Sequence, residues 1–110
     1  MAQKIVEELR GRTIKSFLDI LILSQLSEVT MSGYDLIALI HKKFDYLVSS
    51  GTVYSTLYSM ERNGLIKGSY DERRRIYVLT KKGMEDLQSI KRANGEIRNL
   101  IRNILQLRTA

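Results

Sequence analysis

The side chains with most chemistry to offer lie between Ser49 and Leu79, and their types suit recognition of a polyanion better than bond breaking. Ser49, Ser50, Thr52, Tyr54, Ser55, Tyr58, Ser59 and Arg62 alternate with apolar residues, and the run Asp71-Glu72-Arg73-Arg74-Arg75 follows. Hydroxyls and guanidinium groups hydrogen-bond to base edges and phosphate oxygens, so the segment is a candidate DNA-reading surface. Catalysis has no comparable support. The serines lie in no Gly-x-Ser-x-Gly context and the only histidine, His41, sits beside Lys42 and Lys43, so a nucleophile and its base are missing. Without cysteine there is no disulfide framework and no thiolate zinc site. Glu7 and Glu8, like Asp71 and Glu72, are adjacent surface pairs rather than facing carboxylates, and no glycine-rich phosphate loop occurs. The expectation is a protein that is not an enzyme and uses no cofactor or metal.

The elements that must position these groups follow from spacing. Val53, Leu57 and Met60 fall at i, i+4, i+7, which is one buried stripe of a helix and leaves Ser55, Tyr58, Ser59 and Arg62 on its outer face. Ser49 is placed to cap that helix, and Asn63-Gly64 to stop it with a left-handed residue. Leu65–Tyr70 and Arg75–Leu79 read as two strands joined by the turn 71–74, where Ile76 and Val78 alternate with Tyr77 and Leu79. Three arginines then stand at or beside a hairpin tip, within reach of a phosphate backbone or a minor groove. Upstream, Ile5, Val6 and Leu9 form a short amphipathic segment interrupted at Gly11. Ile14 to Leu26 is apolar on nearly every side, so it must be covered on more than one face, within the domain or also by a second subunit. Ser32 with Asp35 is a capping-box start for a helix ending at His41-Lys42-Lys43, whose cations suit its negative end. Tyr46-Leu47-Val48 is a short strand candidate. The order is helix, helix, short strand, helix, hairpin. This is an α+β, mostly helical winged helix-turn-helix, in which the third helix enters the major groove.

Thr80 can cap a last helix running from Lys81 to about Leu107. Ile90, Ala93, Ile97, Leu100, Ile104 and Leu107 recur in alternating steps of three and four, with Ile101 beside them. That heptad seam projects beyond a domain that already has a core, and it predicts a dimerisation helix. Met84 and Leu87 lie outside the register and are expected to pack on the amino-terminal helices. About 27 helical residues would span roughly 40 Å, and Gly95 marks a bend in them. The expected organisation is a winged-helix domain with a helical extension over residues 1–80 and a dimerisation helix over 81–110, forming one structural unit.

Composition bounds the rest. A chain of 110 residues holds one core. Its formal net charge of +6 favours a polyanionic partner. The most apolar stretch, Phe17–Leu26, falls well short of the ~20 residues of a membrane span, and the amino-terminal segment lacks a secretory pattern. The expectation is a cytoplasmic protein with no membrane partner.

Leu18-Asp19-Ile20-Leu21-Ile22-Leu23 leading into Met31-Ser32-Gly33-Tyr34-Asp35-Leu36, Gly51-Thr52-Val53-Tyr54, Met60-Glu61-Arg62-Asn63-Gly64-Leu65-Ile66 and Tyr77-Val78-Leu79-Thr80-Lys81-Lys82-Gly83 together resemble the PadR family of winged-helix transcriptional regulators. The resemblance covers about residues 14 to 84, and the Gly-Tyr-Asp and Gly-Thr-Val-Tyr pair is its most specific part. It implies a homodimer built by the carboxy-terminal helix with the partner's amino-terminal helix, binding inverted-repeat operators in double-stranded DNA, commonly as a repressor. It also implies roles toward DNA for Ser49, Gly51, Thr52, Tyr54, Ser55 and Tyr58, with Tyr54 facing the phosphate backbone. Where the family usually reads Ser-Pro-Gly-Thr-Leu-Tyr-Pro, this chain has Ser50 and Ser55 in place of the prolines. The first helical turn is thereby freer and two hydroxyls are added toward DNA. A single carboxy-terminal helix, as in the shorter members, leaves less wall for an effector pocket. Of the six tyrosines some are expected in core or wing packing, and the resemblance implies that one or two could line a pocket between subunits for a small planar aromatic effector.

The combined expectation is a sequence-specific regulator contacting DNA through Ser49, Ser50, Gly51, Thr52, Tyr54, Ser55, Tyr58, Arg62, Arg73, Arg74 and Arg75. Two rivals are a protein-interaction winged helix, marked by a chain that never self-associates, and a non-specific architectural DNA binder, marked by the lack of a preferred site.

Overall fold

The apolar run after Ile14 becomes the centre of the molecule. A computed structural model describes residues 2–106, and in it Leu18, Ile22, Leu23 and Leu26 are buried along one short helix. The elements are α1 (Ala2–Ser16), α2 (Leu18–Leu26), β1 (Met31–Ser32), α3 (Gly33–Phe44), α4 (Ser50–Arg62), β2 (Ile66–Asp71), β3 (Arg74–Leu79), α5 (Lys81–Arg92) and α6 (Asn94–Leu105). The α+β winged-helix architecture expected from the sequence is present. Among the described residues, no helix is long and apolar enough to cross a membrane.

Local signals fix most boundaries. The capping box of α3 is complete, with the Asp35 N–H donating to the Ser32 hydroxyl and the Ser32 N–H donating to the Asp35 carboxylate, both at 3.1 Å. Ser49 caps α4 by accepting from the Thr52 N–H, and Thr80 caps α5 by accepting from the Gly83 N–H. Gly64 takes φ +77 directly after α4, as the Asn63-Gly64 stop requires. Val53, Leu57 and Met60 are all buried against the α2 and α3 core, each contributing about 1.5–3 kcal/mol relative to exposure.

Four sequence expectations are corrected. Helix α1 runs unbroken through Gly11, where the Tyr46 ring packs 2.9 Å from the position a Cβ would take. The break comes instead at Phe17, between α1 and α2. The short strand is not Tyr46-Leu47-Val48, which is irregular, but Met31-Ser32, which pairs antiparallel with β3 through Met31↔Tyr77 and Ser32↔Ile76. Val48 is still buried; its apolar character serves the core rather than a sheet. The hairpin is tighter than expected: Asp71 pairs with Arg74, leaving a two-residue turn, Glu72-Arg73, with Glu72 at φ 59. The sheet order is β1-β3-β2.

The last correction concerns the carboxy-terminal segment. It is helical after Thr80, as expected, but interrupted at Ala93, whose φ −87 and ψ 4 separate α5 from α6. Asn94 and Gly95 are weak helix formers, and the bend falls just before the glycine rather than on it. Leu87 joins the core, while Met84 stays partly exposed. Helix α5 approaches closely enough that a Cβ on Gly83 would overlap the Leu65 carbonyl oxygen.

Candidate nucleic-acid interface

The outer face of α4 divides into two flanks. Tyr54, Tyr58 and Arg62, one helical turn apart, turn toward the wing and, with Glu61, Arg75 and Tyr77, line a groove of about 520 Å³. Ser55 and Ser59 turn the other way, into a smaller depression shared with Lys15, Ser16 and Asp19. The single outer face read from the sequence is therefore split between an aromatic, cationic side and a hydroxyl side. Tyr58 is 65% exposed and carries the Arg62 guanidinium 5.3 Å from its ring centre. Tyr54 is less free, because one edge of its ring rests on Gly33, where a Cβ would come within 2.6 Å of it. The two most specific motifs in the sequence thus meet in space: the glycine of Gly-Tyr-Asp makes room for the tyrosine of Gly-Thr-Val-Tyr.

At the start of α4, Ser49 and Thr52 satisfy one another, the Ser49 hydroxyl lying 2.7 Å from Thr52 Oγ1. Ser50 and Gly51 are exposed. A Cβ on Gly51 would meet nothing within 4 Å, so the fold of the chain itself does not require glycine there.

The three arginines separate because successive residues of a strand face opposite ways. Arg73 is exposed in the turn. Arg74 points toward α3 and lies 3.6 Å from Asp35 with both groups solvated, a pair worth little in water. Arg75 points toward α4, where its Nη2 is 2.6 Å from Glu61 Oε2. The backbone N–H of Ser32 holds the Asp35 carboxyl below its usual value against a smaller opposing effect of burial, with the Ser32 hydroxyl and Arg74 assisting. Desolvation works against the Arg75 charge, but Glu61 and Tyr77 outweigh it and its pKa is raised. Burial pushes the Tyr77 phenol up. Sequence reasoning missed Glu61, Gly68 and Tyr77 as parts of this surface. Strand alternation does place Arg75 and Tyr77 on one face, but nothing local links them to Glu61.

Of the expected interface residues, Ile90 and Ile97 are half-buried and line a groove with Phe17, Ile20 and Leu87. Ala93 forms the break, and Leu100, Ile101 and Ile104 are exposed, Ile104 at 66%. Leu105, unremarked in the heptad, is equally exposed, and Leu107 lies outside the described residues. Ile5, Val6 and Leu9 expose a second apolar stripe on α1. The tyrosines do not gather at either place: Tyr46 lies on Gly11, Tyr54 on Gly33, and Tyr77 in the core.

Comparison with known proteins gives a consistent picture. Residues 22–89 match the model of the transcriptional regulator PadR-like family. A transcriptional regulator from Clostridium thermocellum is similar over 87% of this chain and 96% of its own, with 31% identity and a TM-score of 0.74. A PadR-like transcriptional regulator from Bacillus cereus is similar over 88% of this chain and 99% of its own, with 30% identity and a TM-score of 0.74. Bacillus subtilis PadR, whose structure is a complex with operator DNA, shares the fold at 20% identity and a TM-score of 0.57, over 66% of this chain and 45% of its own. No curated protein matches the chain.

Proposed function

From the premise that the chain belongs to the PadR-like family of transcriptional regulators, we propose that it binds operator DNA sequence-specifically as a homodimer and represses transcription. The observation that carries this reading is the flank of α4 that presents Tyr54, Tyr58 and Arg62 beside the hairpin, over an inner stripe that is fully buried. In this reading the first turn of α4 enters the major groove. Ser49, Ser50, Thr52 and Tyr54 contact the backbone there, and Ser55, Tyr58 and Arg62 meet base edges or neighbouring phosphates. Gly51 supports it independently. Open space at a helix start where the chain has no need of glycine suits close approach of a phosphate, which the exposed N–H groups of that turn attract. Arg73 and Arg74 reach a flanking phosphate from the hairpin.

Dimerisation rests on α6, which buries none of its residues although Leu100, Ile101, Ile104 and Leu105 share it. Ile90, Ala93 and Ile97 continue the seam, and the exposed apolar stripe of α1 gives the partner's seam a second surface. A two-fold dimer makes the preferred site an inverted repeat. Repression is what the family resemblance favours.

Fluorescence anisotropy across a salt series, on the duplex upstream of the protein's own gene and on a random duplex, tests the reading. The expected result is at least about 10³-fold tighter binding to a specific site. Affinity should fall with salt by a slope of about 0.9 per phosphate contact, and Arg73→Ala and Arg74→Ala should each flatten it by about that amount. Equal binding to every duplex would indicate an architectural protein, and no binding at all would leave the protein-interaction reading. Tyr58→Ala should change the ranking of sequences rather than weaken all of them equally.

A further inference from the structure

Arg75 differs from Arg73, which is exposed, and from Arg74, which lies loosely beside Asp35, in being hydrogen-bonded to its carboxylate partner. Its Nη2 lies 2.6 Å from Glu61 Oε2, and the same oxygen accepts the Gly68 N–H at 3.4 Å. One carboxylate on α4 therefore holds both strands of the wing. The guanidinium also lies over two rings, 5.5 Å from the centre of Tyr70 and 5.7 Å from that of Tyr77. Gly68, which pairs with Tyr77 across the hairpin, is what allows this arrangement. A Cβ at Gly68 would stand 2.7 Å from Arg75 Nε and 2.8 Å from its Cζ and Nη2.

Ile66 and Tyr77 root the base of the hairpin in the core, and the Glu61–Arg75 pair acts nearer its tip. On its far side β3 pairs only with the two residues of β1, and the Arg74–Asp35 pair that links it to α3 is solvated and weak. Sending Arg75 to a phosphate would also leave the Glu61 carboxylate uncompensated beside DNA, a like-charge contact that opposes binding.

We propose, on the reading that α4 and the wing hold one duplex, that Glu61, Gly68 and Arg75 form a clasp fixing the wing to the recognition helix. Arg75 is in that case a positioning residue, and the wing's phosphate contacts come from Arg73 and Arg74. The clasp sets the distance and angle at which those two arginines reach the backbone when Tyr58 and Arg62 are in the groove.

Gly68→Ala tests this without changing any charge, because the added methyl displaces the flexible end of Arg75 from Glu61. The expected result is about tenfold weaker DNA binding with an unchanged salt slope, and faster amide exchange at Ser69 and Ile76, which pair across the hairpin, in the free protein. Glu61→Gln should reproduce the affinity loss, which guards against a folding defect peculiar to the alanine variant. Affinity held or raised with a salt slope steeper by about 0.9 would make Arg75 a phosphate ligand restrained by Glu61 and overturn the clasp. A lower Tm with unchanged affinity and slope would also overturn it, reducing the pair to a stabilising contact. If the wild-type protein binds no duplex, the DNA reading fails. The clasp is then decided by amide exchange alone: non-additive effects of Glu61→Gln and Arg75→Ala on Ser69 support it, and additive effects overturn it.

Discussion

Helices α4 and α6 are both amphipathic and surface-exposed, yet they are exposed for opposite reasons. Helix α4 buries Val53, Leu57 and Met60 and shows solvent tyrosines, serines and an arginine. Helix α6 buries none of its residues and shows solvent leucines and isoleucines. A helix whose apolar stripe is covered by its own chain is complete, and its polar face is left to hydrogen-bond with water or a polar partner. One whose apolar stripe is bare leaves unburied the surface that would stabilise it. The same distinction separates α5 from α6 within a single continuous segment: Leu87 of α5 is in the core, and one break later Ile104 is 66% exposed. Reading exposure alone would class both helices together, whereas what lies beneath each one separates a covered apolar stripe from a bare one.

The largest expected effect breaks the apolar half of this comparison. Leu100→Glu together with Ile104→Glu removes two side chains worth about 1.5–3 kcal/mol each when buried. The dimer dissociation constant in sedimentation equilibrium should rise by at least about 100-fold, with Val53 and Leu57 packing untouched and the circular dichroism of the winged-helix part preserved. A chain that is monomeric before substitution would refute the dimer seam outright.

The polar half is sharpened at Gly51. Because a side chain there meets nothing in the protein, Gly51→Ala should leave stability equal or raise it by up to about 1 kcal/mol. If a phosphate approaches that turn, DNA binding should weaken by about tenfold. A variant that binds normally would remove the backbone contact from the first turn of α4. Stability and binding moving in opposite directions is the signature of a surface built for a partner.

A smaller effect concerns the support of α4. Asp35→Ala breaks the α3 capping box and should cost about 1 kcal/mol at neutral pH, read by chemical denaturation. The Asp35 carboxyl is held below its ordinary value of 3.8 in the folded protein. Its stabilisation is therefore complete above that value and disappears as pH falls through the lower folded one. The gap between wild type and variant should close on acidification, and a gap independent of pH would show that the carboxylate charge plays no part.

The smallest expected effect is at Gly95, which like Gly51 faces open space. Gly95→Ala should raise the helicity of α6 and add up to about 1 kcal/mol, less if α6 is ordered chiefly by its partner. Weaker dimerisation in this variant would mean that the bend after Ala93 is needed to aim the seam.

Much of the fold was legible because its signals are local. The caps at Ser32, Ser49 and Thr80, the stripe through Val53, Leu57 and Met60 and the stop at Asn63-Gly64 follow from backbone periodicity and from hydrogen bonds spanning a few residues. The misplaced strand shows the limit. Tyr46-Leu47-Val48 has better strand residues than Met31-Ser32, but a strand needs a neighbour, and only Met31-Ser32 lies beside β3.

The candidate site divides in the same way. The sequence by itself determined which residues are polar on α4, that three arginines crowd one hairpin, and that an apolar seam runs through Leu100 and Ile104. Only the tertiary structure decided that Arg74 turns to Asp35 and Arg75 to Glu61, that Tyr54 leans on Gly33, and that, among the described residues, Leu100 and Ile104 of the seam stay exposed. Periodicity says which side chains share a face, since it is a property of a few consecutive residues. What that face meets depends on where distant segments return, and a charge or a ring acquires its role from those neighbours.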